Sequence, residues 1–345
     1  MIKRFPGFID VHVHLREPGA IHKENFLVGS KAAIRGGFTY IIDMPNNPIS
    51  TVTPERLEEK ILLSKKAVCS VGFHYGTDGK NIDTFSHVWS KSSVFGLKIY
   101  CNHTTGDLLV ENKDVLEKIF DAWNSEKPIL VHAEKETLNH VLELAKKYKR
   151  RLHVCHVSRK VEVDMIHSAK NTNQWVSAGV TPHHLFLTDK DREHLGNLAL
   201  MKPELGNQMD QDALWEGIGD GTIDLVETDH APHTLSEKQS EKPPFGVPGL
   251  ETAVGLLFKA VHEKKLTEGK IVELLYKNPQ RLFHLPEELN TYIELDPQKS
   301  YRVENKDLVT KCGWSPFENW ELFGKIETVV FKNKSILNSG FLVTN

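Results

Sequence analysis

The stretch Gly7-Phe-Ile-Asp-Val-His-Val-His-Leu-Arg16 begins as an apolar, β-branched run and ends on alternating histidines. In a strand, successive side chains point to opposite faces. Asp10, His12 and His14, with Arg16 beyond them, are therefore expected on one face, and Val11, Val13 and Leu15 on the other. In the first strand of a barrel, the valine face packs on helices and the polar face looks inward. Polar groups crowded inside a barrel are costly unless paired or bound to a metal. Two neutral imidazoles at i and i+2 can chelate one ion. The plainer alternative is a hydrogen-bonded histidine pair in a solvated mouth.

Similar apolar runs recur downstream. With residues 7–14 they are 39–44, 67–75, 95–100, 128–132, 152–157, 175–180 and 223–228. Most are followed by helix-like segments, for example 134–148 and 160–170 by apolar spacing. Thr53 reads as a helix N-cap with Pro54 at the first position. Gly36-Gly37 reads as a helix end rather than a phosphate loop. Eight strands alternating with helices predict an α/β protein, a (β/α)8 TIM barrel over residues 7–290. After Pro286 the pattern changes to the alternation of half-exposed antiparallel strands. Residues 1–6 and 291–345 are expected to form a small β appendage, with a hairpin turn near Lys332. Residues 236–249, rich in Pro, Gly, Lys and Glu, are expected to form a loop at the barrel's C-terminal face.

Composition excludes several classes. The chain has 345 residues, with 43 basic and 46 acidic side chains and a net charge of -3. That balance argues against nucleic-acid binding. No apolar run reaches the length of a membrane span, and the first residues lack the apolar core of a signal peptide. Cys69, Cys101, Cys155 and Cys312 form no CxxC pair, which fits a reducing, cytoplasmic setting. The compositional excess is in histidine, 18 in all.

Other candidates fall at the ends of other predicted strands: Lys98, His132, His156 and Asp229. Barrel enzymes place catalytic groups at the C-terminal ends of several strands. Each residue alone has a bland reading; their coincidence does not. Burial of Lys98 in an apolar strand would favour its neutral amine. That amine can react with CO2 to give a carbamate, a carboxylate able to bridge two cations. The alternative is an ordinary lysine whose head reaches the mouth. His153 lies three residues from His156, so a regular strand would turn it to the opposite face, into packing. His183 and His184 are assigned to loop orientation. The sequence has neither a G-x-x-x-x-G-K-[ST] nor a G-x-G-x-x-G phosphate motif.

The segment from Pro6 to Gly19 resembles the signature of dihydroorotases, in the amidohydrolase superfamily. So, in order, do Met44-Pro-Asn46, Gly96-Leu-Lys98, Val131-His-Ala-Glu134, Cys155-His-Val157, Pro182-His-His-Leu-Phe-Leu-Thr188, Pro203-Glu-Leu-Gly206, Thr228-Asp-His-Ala-Pro-His-Thr234 and Pro248-Gly-Leu-Glu-Thr252. The chain is most similar to the dihydroorotase domain of the animal multifunctional pyrimidine-biosynthesis protein. The resemblance implies reversible cyclisation of N-carbamoyl-L-aspartate to (S)-dihydroorotate in pyrimidine biosynthesis. It implies two zinc ions, one held by His12 and His14 and one by His132 and His156, bridged by carboxylated Lys98. Asp229 would ligate the first zinc and shuttle the proton. Arg16, Asn46 and His233 would hold the substrate's carboxylate and ring, and Pro248 and Gly249 its pyrimidine edge. A lid at residues 102–109 would contribute Thr104. A homodimer, and association with other pyrimidine-pathway enzymes, are implied in the same way.

Three positions depart from the pattern. Lys202, also placed at the substrate, stands where an arginine is common and lacks its bidentate fork. Thr105 replaces a bulky apolar lid residue. Gly179 replaces a glutamate, which argues against an extra metal site near Cys155. The rival readings are a dihydropyrimidinase, hydantoinase or allantoinase, or a non-catalytic barrel kept for assembly.

Overall fold

The computed structural model describes residues 1–172 and 175–343. The chain enters through β1 (Lys3–Pro6) and then lays down eight parallel strands in sequence order. These are β2 (Phe8–Val13), β3 (Phe38–Asp43), β4 (Ser70–Gly76), β5 (Val94–Tyr100), β6 (Ile129–His132), β7 (Leu152–Val154), β8 (Val176–Val180) and β9 (Leu225–Val226). Val13 bridges His230, and the His14 N–H donates to His230 O at 2.8 Å, so the sheet curls into a nearly closed TIM barrel. Helices such as Phe26–Arg35, Pro54–Ser64, Lys135–Tyr148 and Lys160–Thr172 fill the connections. Thr53 caps the second of these by accepting from the Arg56 N–H. The first ends at Gly36, and Gly37 follows at φ +89°, a left-handed conformation that glycine takes without strain.

Two apolar layers hold the strands. Val13, Leu15, Ile41, Leu97, Ile99, Ile129 and Val131 belong to the outer one, shared with the helices. Ile9, Val11, Tyr40, Ile42, Phe95, Leu130 and Leu225 fill the inner one, together with Phe283 and Leu285. The inner layer packs the barrel below the ends of the strands. Val11 was expected on the helix side and lies in this inner layer instead. The cause is a register shift between Asp10 and Val13 in the β2–β3 pairing, which breaks strict alternation. Asp10 correspondingly leaves the histidine row. It accepts from the Thr228 hydroxyl at 2.5 Å, from the Thr228 N–H at 3.1 Å and from the His12 N–H at 3.1 Å. That carboxyl group pins β2 to the chain just beyond β9, across the barrel's closing seam.

The appendage contains β10 (Tyr292–Leu295), β11 (Ser300–Arg302), β12 (Glu321–Phe323), β13 (Ile326–Phe331), β14 (Lys334–Asn338) and β15 (Phe341–Leu342). β1, β10, β13, β14 and β15 form one antiparallel sheet, so the two termini build it together. Lys332 and Asn333, at φ +50° and +68°, make the two-residue hairpin turn between β13 and β14. β11 and β12 pair separately. The chain between them returns to the barrel mouth, where Trp314 Nε1 donates to His233 O at 2.7 Å.

Asp10→Ala would strip the acceptor from three buried donors. It is expected to lower the unfolding free energy by about 3 kcal/mol in chemical denaturation. Asp10→Asn, which keeps one carbonyl oxygen, should cost less. An alanine variant as stable as the native protein would show that the strand ladder alone holds the seam.

Candidate metal centre and active site

Four strand ends converge on one buried cluster. β2 delivers His12 and, one residue past its end, His14; β6 delivers His132, and the chain beyond β7 and β9 delivers His156 and Asp229. The last two have left the regular ladder, with φ at +38° and +47°. Such backbone in a non-glycine residue costs about 1–3 kcal/mol and marks positions that the surroundings over-determine. The imidazoles form a continuous row. Ring centroids are 5.3 Å apart from His14 to His12, 5.2 Å from His12 to His156, and 4.7 Å from His156 to His132.

Asp229 Oδ1 lies 3.3 Å from His12 Nε2 and 2.9 Å from His14 Nε2. These three side chains form a group able to hold a metal ion, and His12, Cys155 and Glu227 form a second. His132 Nδ1 and His156 Nε2 stand 3.1 Å apart. His12 Nδ1, His132 Nε2 and His156 Nδ1 are buried without a hydrogen-bond partner among the described residues. Buried polar atoms are seldom left so, and their coincidence in one cluster fits a cation site.

The electrostatics agree. Burial pushes the His14 imidazole down to about 3, and pushes His132 and His156 below the ordinary range as well. Neutral imidazoles are what a metal requires. Burial would raise the Asp229 carboxyl, but His12, His14 and His183 outweigh it and hold the group below the usual carboxylate range. Behind His14, the Nδ1–H donates to Asn46 Oδ1 at 2.8 Å, which leaves Nε2 free to face Asp229. Lys98 is fully buried on β5, with Nζ 3.1 Å from Cys155 Sγ and 5.0 Å from the centre of the Tyr100 ring.

Above the cluster is a small cavity lined by His14, Arg16, Asn46, Thr104, Thr105, Lys202 and Asp229 among others. Arg16 donates through Nε to Pro232 O at 3.0 Å, with a terminal nitrogen 3.1 Å from His233 Nε2. Lys202 is held by Glu204 at 2.8 Å. The lid lies across the cavity: Asn46 Nδ2 donates to Thr105 O, and the Thr105 hydroxyl to Phe245 O. Pro248 and Gly249 are placed elsewhere. They line a separate small cavity behind His230, and the Gly249 N–H donates to His230 Nδ1 at 3.2 Å.

The amidohydrolase family model matches residues 5–241. The chain is 33% identical to the dihydroorotase of Pyrococcus abyssi, over 96% of this chain and 83% of that one. It belongs to the dihydroorotases of the amidohydrolase family. It is also 41% identical to Multifunctional protein CAD of Squalus acanthias and 40% to Multifunctional protein pyr1-3 of Dictyostelium discoideum. It covers 15% of the length of each, and they match 96% and 99% of this chain. Among solved structures, the L-hydantoinase of Arthrobacter aurescens superposes with a TM-score of 0.94 at 22% identity, covering 99% of this chain and 86% of that one. An inactive dihydroorotase-like domain from a Chaetomium thermophilum CAD-like protein gives 0.84 at 25%, covering 99% and 97%.

In this dihydroorotase-family chain, sequence reasoning missed several interior groups. His153 was assigned to packing on the far face, yet it is fully buried and approaches Ser177 Oγ at 2.9 Å and Glu227 Oε2 at 3.4 Å. β7 stops at Val154, so the spacing from His153 to His156 is not that of a strand. His74 faces the same interior, approaching Val11 O at 3.0 Å. Glu227 was passed over although it stands two residues before Asp229, at the same-face spacing. Burial would raise its carboxyl, but His12 and His153 hold it well below the usual range. With Glu227, a carboxylate stands beside Cys155 even though residue 179 is glycine.

Elemental analysis of zinc-loaded protein is expected to find about two zinc ions per chain, given four imidazoles and Asp229 in adjacent groups. His12→Ala and His132→Ala should each lose about one. A full complement in both variants would remove these side chains as ligands.

Proposed function

We propose that this chain interconverts N-carbamoyl-L-aspartate and (S)-dihydroorotate, with water released on ring closure. The observation that carries the reading is the row of four buried imidazoles, closed by ionised Asp229, beneath a cavity lined by a buried arginine. His12, His14 and Asp229 would hold one zinc ion and His132 and His156 a second, with Lys98, carboxylated by CO2, between them. When bound, such a centre supplies Lewis-acid polarisation of the ring amide and activates water at neutral pH.

The chain's own groups do the rest. Asp229 is ionised and stands at the junction of cluster and cavity, so it can take a proton from water and deliver it to the departing ring nitrogen. In ring closure the same transfers run in reverse. Arg16 presents a buried guanidinium suited to gripping the substrate's carboxylate bidentately. Asn46, Thr104, Lys202 and His233 complete that side of the cavity, and the lid over it keeps bulk water out.

Hydantoinases share the barrel, but their substrates lack the ring carboxylate, so Arg16 favours dihydroorotate. The inactive Chaetomium relative shows that this barrel can lack activity, so the reading rests on the ligand set. The multifunctional relatives support association with other pyrimidine-pathway enzymes, and we propose a homodimer. No helix among the described residues is long and apolar enough to cross a membrane, which accords with a cytoplasmic enzyme.

Arg16→Met should lose about 100-fold or more in kcat/KM for dihydroorotate, roughly 3 kcal/mol, the cost of leaving a desolvated carboxylate unpaired. Side-by-side rates on dihydroorotate, dihydrouracil, hydantoin and allantoin check it. Undiminished dihydroorotate turnover would favour the hydantoinase reading.

Lys98→Ala and Lys98→Arg should both abolish activity, because a guanidinium stays charged and does not readily carbamylate. Propionate should partly restore the alanine variant. Mass or carbon-13 measurement of the native protein should find a CO2 adduct on Lys98. An unmodified lysine in fully active enzyme would mean that the bridge is something else.

A further inference from the structure

The two histidines of β2 differ in what stands behind them. For either ring to present Nε2 to a cation, its proton must sit on Nδ1, and a buried N–H needs an acceptor. Asn46 Oδ1 serves His14. Behind His12, Glu227 Oε2 stands 3.4 Å from Nδ1, an atom with no hydrogen-bond partner among the described residues. The other oxygen, Oε1, accepts the backbone N–H of His156 at 2.6 Å, at a residue whose φ is +38°. One fully buried carboxylate thus touches one ligand of each proposed zinc site.

Gly179 on β8 makes room for it. A Cβ there would lie 2.6 Å from Glu227 Oε1 and 2.7 Å from its Cδ, so any larger residue would collide with the carboxylate. The same geometry means that a side chain from β8 would point into the volume that Glu227 reaches from beyond β9.

We propose that Glu227 is a positioning residue that sets the His12 tautomer and the His156 backbone for metal capture, and that residue 179 is glycine because the carboxylate fills its side-chain space. The proposal rests on the reading of His12 and His156 as metal ligands. Glu227→Gln keeps the size but turns an NH2 toward one of its two partners. That favours the wrong His12 tautomer or strands the His156 N–H.

The test is a zinc titration of metal-free protein against a chromophoric chelator, with thermal melting alongside. Glu227→Gln should bind zinc about 10- to 100-fold more weakly, the usual effect of losing a group behind a ligand, a loss larger than any fall in its metal-free melting temperature accounts for. Glu227→Ala should bind as weakly. Glu227→Ala with Gly179→Glu, which returns a carboxylate from the neighbouring strand, should recover most of the affinity. Native affinity in Glu227→Gln would overturn the proposal. So would a double variant that regains melting temperature without affinity, since the role would then be structural. Loss of a whole equivalent at saturation would make Glu227 a ligand instead. If the native protein bound no zinc, the proposed function would fail and this proposal with it.

Discussion

Asp229 Oδ1 sits between two imidazole nitrogens, 3.3 Å from His12 and 2.9 Å from His14. A buried, ionised carboxylate is tolerable only while such partners surround it. Much of the local architecture serves that arrangement. Asp229 has a left-handed backbone. The strand before it is only two residues long, and the chain then returns to β2 through the bridge from Val13 to His230. Asp10 locks the same seam one layer lower, through Thr228.

Around the imidazoles lies a ring of acceptors and loop contacts. Asn46 joins His14 to the lid, because its two amide atoms engage His14 Nδ1 and Thr105 O. Thr105 reaches Phe245 O, which also receives His233 Nε2. Buried Lys238 donates to Leu200 O, Pro244 O and Gly246 O, gathering an irregular loop by its carbonyls. Burial pushes that ammonium down to about 8, yet three carbonyl acceptors keep it satisfied. The appendage adds Trp314, whose indole holds His233 O. A segment distant in sequence therefore braces the residue that lies beside Arg16.

The barrel was legible because each of its strands is a local pattern. Apolar runs with helices between them fix the strand count and the parallel connection, and chemistry-bearing residues at their ends mark one face of the barrel. His12, His14, His132, His156, Lys98 and Asp229 could all be picked out in this way. Strict alternation failed where the chain is irregular. Val11 turned inward at a register shift, and His153 shares the interior with His156 because β7 ends at Val154, two residues before His156.

What the sequence by itself determined is the order of the strands, the residue types at their mouths and the two-terminus β appendage. These follow from periodicity, turn chemistry and motif, all of which act over a few residues. Only the tertiary structure decided which buried groups meet. Glu227 and Gly179 are 48 positions apart in the numbering and on adjoining stretches of the barrel, and nothing in the sequence joins them. Their relation is one of excluded volume, as that of Asp10 to Thr228 is one of hydrogen bonding across the seam. Both arise from closing the sheet, which brings the first strand against the last and presses side chains from distant runs into one interior. No local window of sequence contains that contact.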